Sequence, residues 1–447
     1  MKNRKRNLRG LLIFILVLSA VCYTQYPKLN IISGYTAKNL ASCVYLAGRT
    51  EASVIENDHK AGLISLATAK INAASTSATS AVFGLHKRQA VYREGLGVVL
   101  LPKDAELPAS YLVPQRFQVS SALPYPQGHG KPRDTVFPEV DYTQLQRGLD
   151  QAFSYPDRQR TRTVAILYKN HLMAERYAEG FGPQTPVLGW SMTKSVLATL
   201  YGVLQYQGLL EVSEKPGLPQ WEQDERKEIT YDHLLRMQSG LSWEEEYGGI
   251  SDVTKMLFLS EDMSAPQAGK ELIGSPGSVW YYSSGTSNLL SGLLRKQFPD
   301  PQEYLNFPYR ELIDKIGMHS MLLETDLKGN FVGSSYGWAS TRDWARFGLL
   351  YLNRGKWGDS QIFDPSWADY VASPTAHSAQ GYGAHFWLNA GGKYPDAPRD
   401  MYMANGFEGQ HVFIIPSKKL VIVRTGLAED PDFELNAFLK EVLAAFP

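Results

Sequence analysis

The sequence predicts an α+β fold, an antiparallel sheet assembled from distant parts of the chain and layered with helices. Three observations carry this. Residues 164–168 and 171–177 read as a β-hairpin about Lys169-Asn170. Residues 411–415 and 420–424 read as a second, near the end of the chain. Between them the apolar residues recur mainly at helical spacing, so strands from both ends must meet across a helical middle.

The first element is an export signal. Lys2, Arg4, Lys5, Arg6 and Arg9 precede an apolar run at 11–23, and no acidic residue occurs before Glu51. A charged stretch followed by an apolar one is the layout of a secretory signal. A helix of that run rises about 20 Å, short of the roughly 30 Å hydrocarbon core of a bilayer. Counting outward from Leu8 to Tyr26 nearly spans it. No Ala-x-Ala cleavage site follows, and bulky Val21 stands where a lipoprotein box takes a small residue before Cys22. For residues 1–27 a cleaved signal, an uncleaved membrane anchor and a lipidated Cys22 all stay open. Each places the body outside the cytoplasm; the expected location is the periplasm, or the inner membrane facing it, with a Gram-positive surface left open. Without those five cations the chain has 40 basic residues against 45 acidic ones. Such a body is a poor partner for nucleic-acid phosphate. Cys22 and Cys43 are the only cysteines, too few for a zinc framework, and Cys43 reads as a lone buried thiol.

Residues 28–101 read as a small α/β extension, with residues 81–92 forming a hairpin around a turn containing Gly84. Residues 102–140 read as a linker. Seven of the chain's 25 prolines fall between Pro102 and Pro138, and proline fixes φ and removes a backbone donor. The main domain, 141–447, opens with a helix at 141–154 and closes with an amphipathic helix at 432–446. No internal repeat is present.

The strongest local signal for chemistry is Ser191-Met-Thr-Lys194 at the start of an apolar helix carrying Val196, Leu197, Leu200, Val203 and Leu204. Residues three apart share a helix face, so hydroxyl and amine can meet. Serine is a weak nucleophile until a base takes its proton, and a desolvated lysine is such a base. The plain alternative makes Ser191 an N-cap. A second signal lies at Tyr282-Ser-Ser284, small polar residues directly before another apolar helix. Tyr282 can shuttle a proton if a nearby cation lowers its pKa; otherwise it is one of many packing tyrosines.

These residues resemble the serine β-lactamase and penicillin-binding-protein superfamily, in its class C-like branch. That branch includes esterases, D-alanyl-D-alanine carboxypeptidases and 6-aminohexanoate-dimer hydrolases. Its Ser-x-x-Lys box is similar to Ser191–Lys194, and its Tyr-x-Asn box to Tyr282–Ser284 with serine replacing asparagine. Residues 229–241 and 338–350 resemble two further conserved stretches of the branch. The resemblance implies a transpeptidase-like antiparallel sheet flanked by helices, with a helical subdomain. It implies Ser191 as nucleophile and Lys194 and Tyr282 as general base and acid. It implies an oxyanion hole from the Ser191 and Phe407 N–H groups, with Trp190, Ser284, Asn405, Gly406 and Gln410 beside it as substrate-binding residues. No cofactor or metal is implied, and the partner is a small-molecule or peptide-like acyl substrate. The third box departs from the pattern. Where the family has Lys-Thr-Gly or His-Thr-Gly, this chain has Ala404-Asn-Gly406. The missing cation argues against β-lactams and D-Ala-D-Ala peptides and towards an ester or amide of an uncharged acyl group. A module that binds without turnover, and a true β-lactamase or carboxypeptidase, are the competing expectations.

Four other features carry less. Gly189-Trp-Ser191-Met-Thr193 lacks the second glycine of a nucleophile elbow. His233 reads as structural, with Thr230 as a helix cap. His411 either touches substrate or packs. Glu244, Glu245 and Glu246 read as a solvated loop.

Overall fold

The computed structural model describes residues 2–447 apart from 103, 104, 106, 109, 119 and 120, with side chains from Thr24 onward. The apolar run of the expected export signal therefore lies outside the described side chains. Among the described residues no helix is long and apolar enough to cross a membrane.

Helix α1 (Lys2–Tyr45) leads into a four-stranded antiparallel meander, β1 (Ala67–Asn72), β2 (Ser77–Val82), β3 (Leu85–Arg93) and β4 (Gly97–Leu101). Small residues make the approach possible: Ala37 and Ala41 of the helix and Ala78 and Ala90 of the strands are fully buried in one cluster. The β2–β3 turn is Phe83-Gly84, both at positive φ, as a two-residue hairpin requires. Helix and β3 run in the same direction. Tyr26 meets His86 with ring centroids 4.2 Å apart, Asn30 accepts from Arg88 at 2.9 Å, and Tyr45 stacks on Tyr92 at 5.4 Å.

The main sheet contains β5 (Thr161–Tyr168), β6 (His171–Tyr177), β7 (Trp387–Leu388), β8 (Tyr402–Gly406), β9 (Gln410–Ile415) and β10 (Leu420–Gly426). Their order is β7-β8-β9-β10-β5-β6, every pairing antiparallel. The two hairpins read from the sequence meet inside the sheet, where Ile166 pairs with Ile422. The helices that matter are α2 (Tyr142–Phe153), α3 (Met192–Tyr206), α4 (Ser284–Lys296), α5 (Thr341–Leu352) and α6 (Leu435–Leu443). Alternate residues of β5 and β10 enter two different cores. Ala165, Leu167, Val421 and Val423 join α3, α4 and α5, while Val164, Ile166 and Ile422 join α2 and α6. Burial of both faces explains why these strands read as continuous apolar runs.

The N-terminal module is fastened to this body. Lys38 and Glu324 form a buried ion pair at 2.7 Å, and Glu324 also accepts from the Val98 N–H and from Trp338 Nε1. Asp58 sits between Arg49 at 2.8 Å and Arg162 at 2.6 Å. The proline-rich segment crosses the surface without helix or extended strand among its described residues, held by Arg116 on Asp314.

Candidate active site

Ser191 stands directly before α3. Its predecessor Trp190 has φ 47°, a conformation few bulky residues adopt. Thr193 holds that turn, its hydroxyl donating to the Trp190 carbonyl at 2.7 Å while accepting from the Gly337 N–H. Ser191 does occupy the N-cap position, but its hydroxyl caps no helix N–H. It lies 3.0 Å from Lys194 Nζ instead. Lys194 is 2% exposed, and Nζ also donates to Ser284 Oγ and to the Ser334 carbonyl, each at 2.9 Å. Burial brings its pKa down to about 8, with Glu245 pulling the other way. Tyr282 lies beside them, Lys194 Nζ 4.9 Å from its ring centroid, and Ser191 is the group that pulls its pKa down. The sequence reading needed a cation to lower Tyr282's pKa. The structure does the reverse, since burial and Glu245 raise it despite the Ser191 contact. Tyr282 therefore keeps its proton.

Glu245 is the residue the sequence reading missed. Glu244 and Glu246 are exposed, as expected, but Glu245 turns inward. Its carboxylate accepts four donors: the Ser284 O–H and N–H, the Trp243 indole N–H at 2.6 Å and the Tyr247 O–H at 2.9 Å. The signal was available, because Trp243, Glu245 and Tyr247 alternate with exposed residues along an extended stretch. Ser284, expected to touch substrate, is fully buried and belongs to this network.

The donor count fixes a direction. Ser284 gives its only hydroxyl proton to Glu245, so it can only accept from Lys194. The Ser334 carbonyl can only accept as well. A neutral amine has two N–H groups and one lone pair. As an ammonium Lys194 donates to all three oxygens, Ser191 Oγ included; once it is neutral, its two N–H groups serve Ser284 and Ser334 and its lone pair faces the Ser191 hydroxyl.

The β8–β9 turn forms the facing wall. A Cβ on Gly406 would lie 2.1 Å from the Gly189 carbonyl oxygen. The close approach that requires glycine here is thus to the chain leading into Ser191, where a ligand was expected. Among the described residues, no protein acceptor is seen for the Ser191 or Phe407 N–H. Gln410 was expected to bind substrate. Its amide is instead occupied by the carbonyls of Phe407, Glu408 and Gly426, and it holds the turn in shape. Trp190, expected likewise, is buried: its indole stacks on Tyr35 of α1 and meets Phe407 edge-on. Phe407 also stacks on Tyr247, centroids 5.3 Å apart. Asn405 is half-buried opposite His411, and Ala404 is fully buried in the main core. His411 packs on Phe413, its pKa brought down to about 3 by burial and by Arg424. His233 exchanges capping bonds with Thr230. Among the described residues no group of three histidine, cysteine or acidic side chains could hold a metal ion. Cys43 is buried and free, its thiol pushed up to about 12.

The beta-lactamase family model matches residues 151–442. A protein described as a 6-aminohexanoate-dimer hydrolase from Bacillus anthracis has a similar structure, with TM-score 0.57 and 19% identity over 65% of this chain and 80% of that one. A D-stereospecific amidohydrolase from Streptomyces sp. gives 0.52 and 14% identity, covering 68% and 99%. A penicillin-binding-protein homologue from Caulobacter crescentus gives 0.51 and 16%, covering 68% and 97%. A comparison with curated proteins returned no match.

Proposed function

This chain belongs to the beta-lactamase family, and we propose that it is an exported serine hydrolase that cleaves an ester or amide through a Ser191 acyl-enzyme. The observation that carries the reading is Lys194 Nζ at 3.0 Å from Ser191 Oγ, with the Ser284 hydroxyl and the Ser334 carbonyl as its other two acceptors, so that loss of one proton leaves a lone pair facing Ser191. Lys194 takes the Ser191 proton as the hydroxyl oxygen attacks the acyl carbonyl. The Ser191 and Phe407 N–H groups receive the charge that develops on the carbonyl oxygen, a contribution typically worth about 10²–10³-fold per donor. Tyr282, still protonated, lies beside the Ser191 oxygen and relays the proton to the leaving group. Water then releases the acyl group by the reverse route.

The acyl group is uncharged on this reading. Ala404 stands where the family's third motif carries a cation, and it lies fully inside the core. A substrate carboxylate there loses a charge-assisted partner worth about 1.5–3 kcal/mol. Esters and amides without that carboxylate lose nothing. The similar structures described as a 6-aminohexanoate-dimer hydrolase and a D-stereospecific amidohydrolase support the reaction class.

A fluorophosphonate probe tests the nucleophile. A stoichiometric adduct on Ser191, absent in Lys194→Ala and Ser191→Ala, is the expected result. Full turnover of a nitrophenyl ester by Ser191→Ala would refute the mechanism. Rapid nitrocefin hydrolysis would refute the substrate assignment alone.

A further inference from the structure

We propose that one end of the N-terminal meander is a bilayer-contacting surface that lays the protein against the membrane it is anchored in. The proposal rests on the anchor reading of residues 1–27. Its observation is a convergence of exposed apolar side chains. Phe83, at the tip of the β2–β3 hairpin, is 73% exposed, and Leu63, Leu66, Leu85 and Tyr26 are exposed too. Single exposed apolar residues are ordinary on any protein surface. These five are not scattered. Ala67 pairs with Val82, which sets Leu66 across from Phe83, and Val82 pairs with Leu85 to close the hairpin. Leu63 lies in the short turn, Gly62–Leu66, that leads into β1. Tyr26 reaches the same end through its contact with the His86 ring.

That end is where α1 enters the body, since helix and β3 run in the same direction. The apolar run 11–23 finishes three residues before Tyr26 in the same helix, about 4.5 Å of rise. A bilayer covering the run also meets the hairpin tip. A second copy of the chain docked on the tip would leave the run beside it uncovered. Exposed Lys87, two residues from Leu85, adds a cation at headgroup height. Aromatic and leucine side chains flanked by lysine suit the membrane–water interface.

The test uses the full chain reconstituted into phosphatidylethanolamine–phosphatidylglycerol vesicles. An environment-sensitive fluorophore is attached at Phe83→Cys in a Cys22→Ser background; Cys43 is buried with a raised pKa and stays unlabelled. The control carries the label at Ala74→Cys, in the exposed β1–β2 turn at the meander's other end. The expected result is a blue-shifted emission at position 83, several-fold brighter than at 74 and quenched by lipid-borne spin labels. Chain that floats with the vesicles while position 83 stays as wet as 74 would overturn the proposal and leave the anchor standing. A blue shift that spin-labelled lipid does not quench, rising with protein concentration, would assign the patch to a second copy. Failure to float would remove both the anchor reading and the proposal.

Discussion

Replacing Glu245 with glutamine removes one charge and keeps the shape, which isolates the carboxylate's role in aiming Lys194. The carboxylate accepts four donors; the amide has one oxygen and one NH₂ group, so two donors must lose their acceptor whichever way it turns. If the oxygen serves Trp243 and the Ser284 N–H, the NH₂ group faces the Ser284 hydroxyl. That hydroxyl then accepts from glutamine and turns its proton towards Lys194, competing with Ser191 for the lone pair. A hydrogen bond to a charged group is worth about 1.5–3 kcal/mol, so misdirecting the base should lower kcat by roughly 10- to 150-fold. The pH profile adds a second readout. Lys194 must be neutral to act, so kcat/KM of the native enzyme rises with pH through a midpoint near the lysine's value of about 8. Glu245 raises that value, so the limb of Glu245→Gln should move to lower pH while its plateau falls. The assay is nitrophenyl-ester hydrolysis between pH 6 and 10, with circular dichroism to show that the variant is folded. A folded variant with an unchanged plateau, or a limb displaced to higher pH, would refute the reasoning.

Three further outcomes follow from the same contacts. Gly406→Ala places a methyl group against the Gly189 carbonyl and should displace the Phe407 N–H, lowering kcat by about 10²–10³-fold in ester turnover. Lys38→Met leaves Glu324 as an unpaired buried charge and should cost about 3–5 kcal/mol in urea unfolding, whereas Lys38→Arg should cost less. Lys194 titrates near 8 when folded against an ordinary 10.5, so between those values the unfolded chain binds more protons. Stability should therefore rise with pH across that window, and Lys194→Met should flatten the rise in denaturation curves.

The strands, the terminal helices and the Ser191–Lys194 pair were legible because each rests on local signals: alternation, apolar runs, turn residues and one helical turn of spacing. The hairpin at Phe83-Gly84 and the capping pair Thr230–His233 are of the same kind. What escaped was set by tertiary contact. Glu245 looks like its two exposed neighbours until the fold brings Ser284 to it from 39 residues away. Gln410 and Ser284 sit in motif positions that suggest substrate contact, yet both are consumed by protein partners. Nor does any pattern in α1 foretell that Tyr35 will stack on Trp190.

The pairing of Ile166 with Ile422 also sets a timetable. Strands β5 and β10 are neighbours inside the sheet, yet nearly the whole domain separates them in the chain. Closing so long a loop is entropically costly before any contact rewards it, and such topologies fold slowly. A chain synthesised amino-terminus first can complete α1 and the neighbouring meander early, because those strands pair in sequence order. The sheet that carries the nucleophile's wall must wait for the last thirty residues. During that interval β5 presents an unpaired apolar edge, so the newly made chain depends on protection from aggregation until its tail arrives.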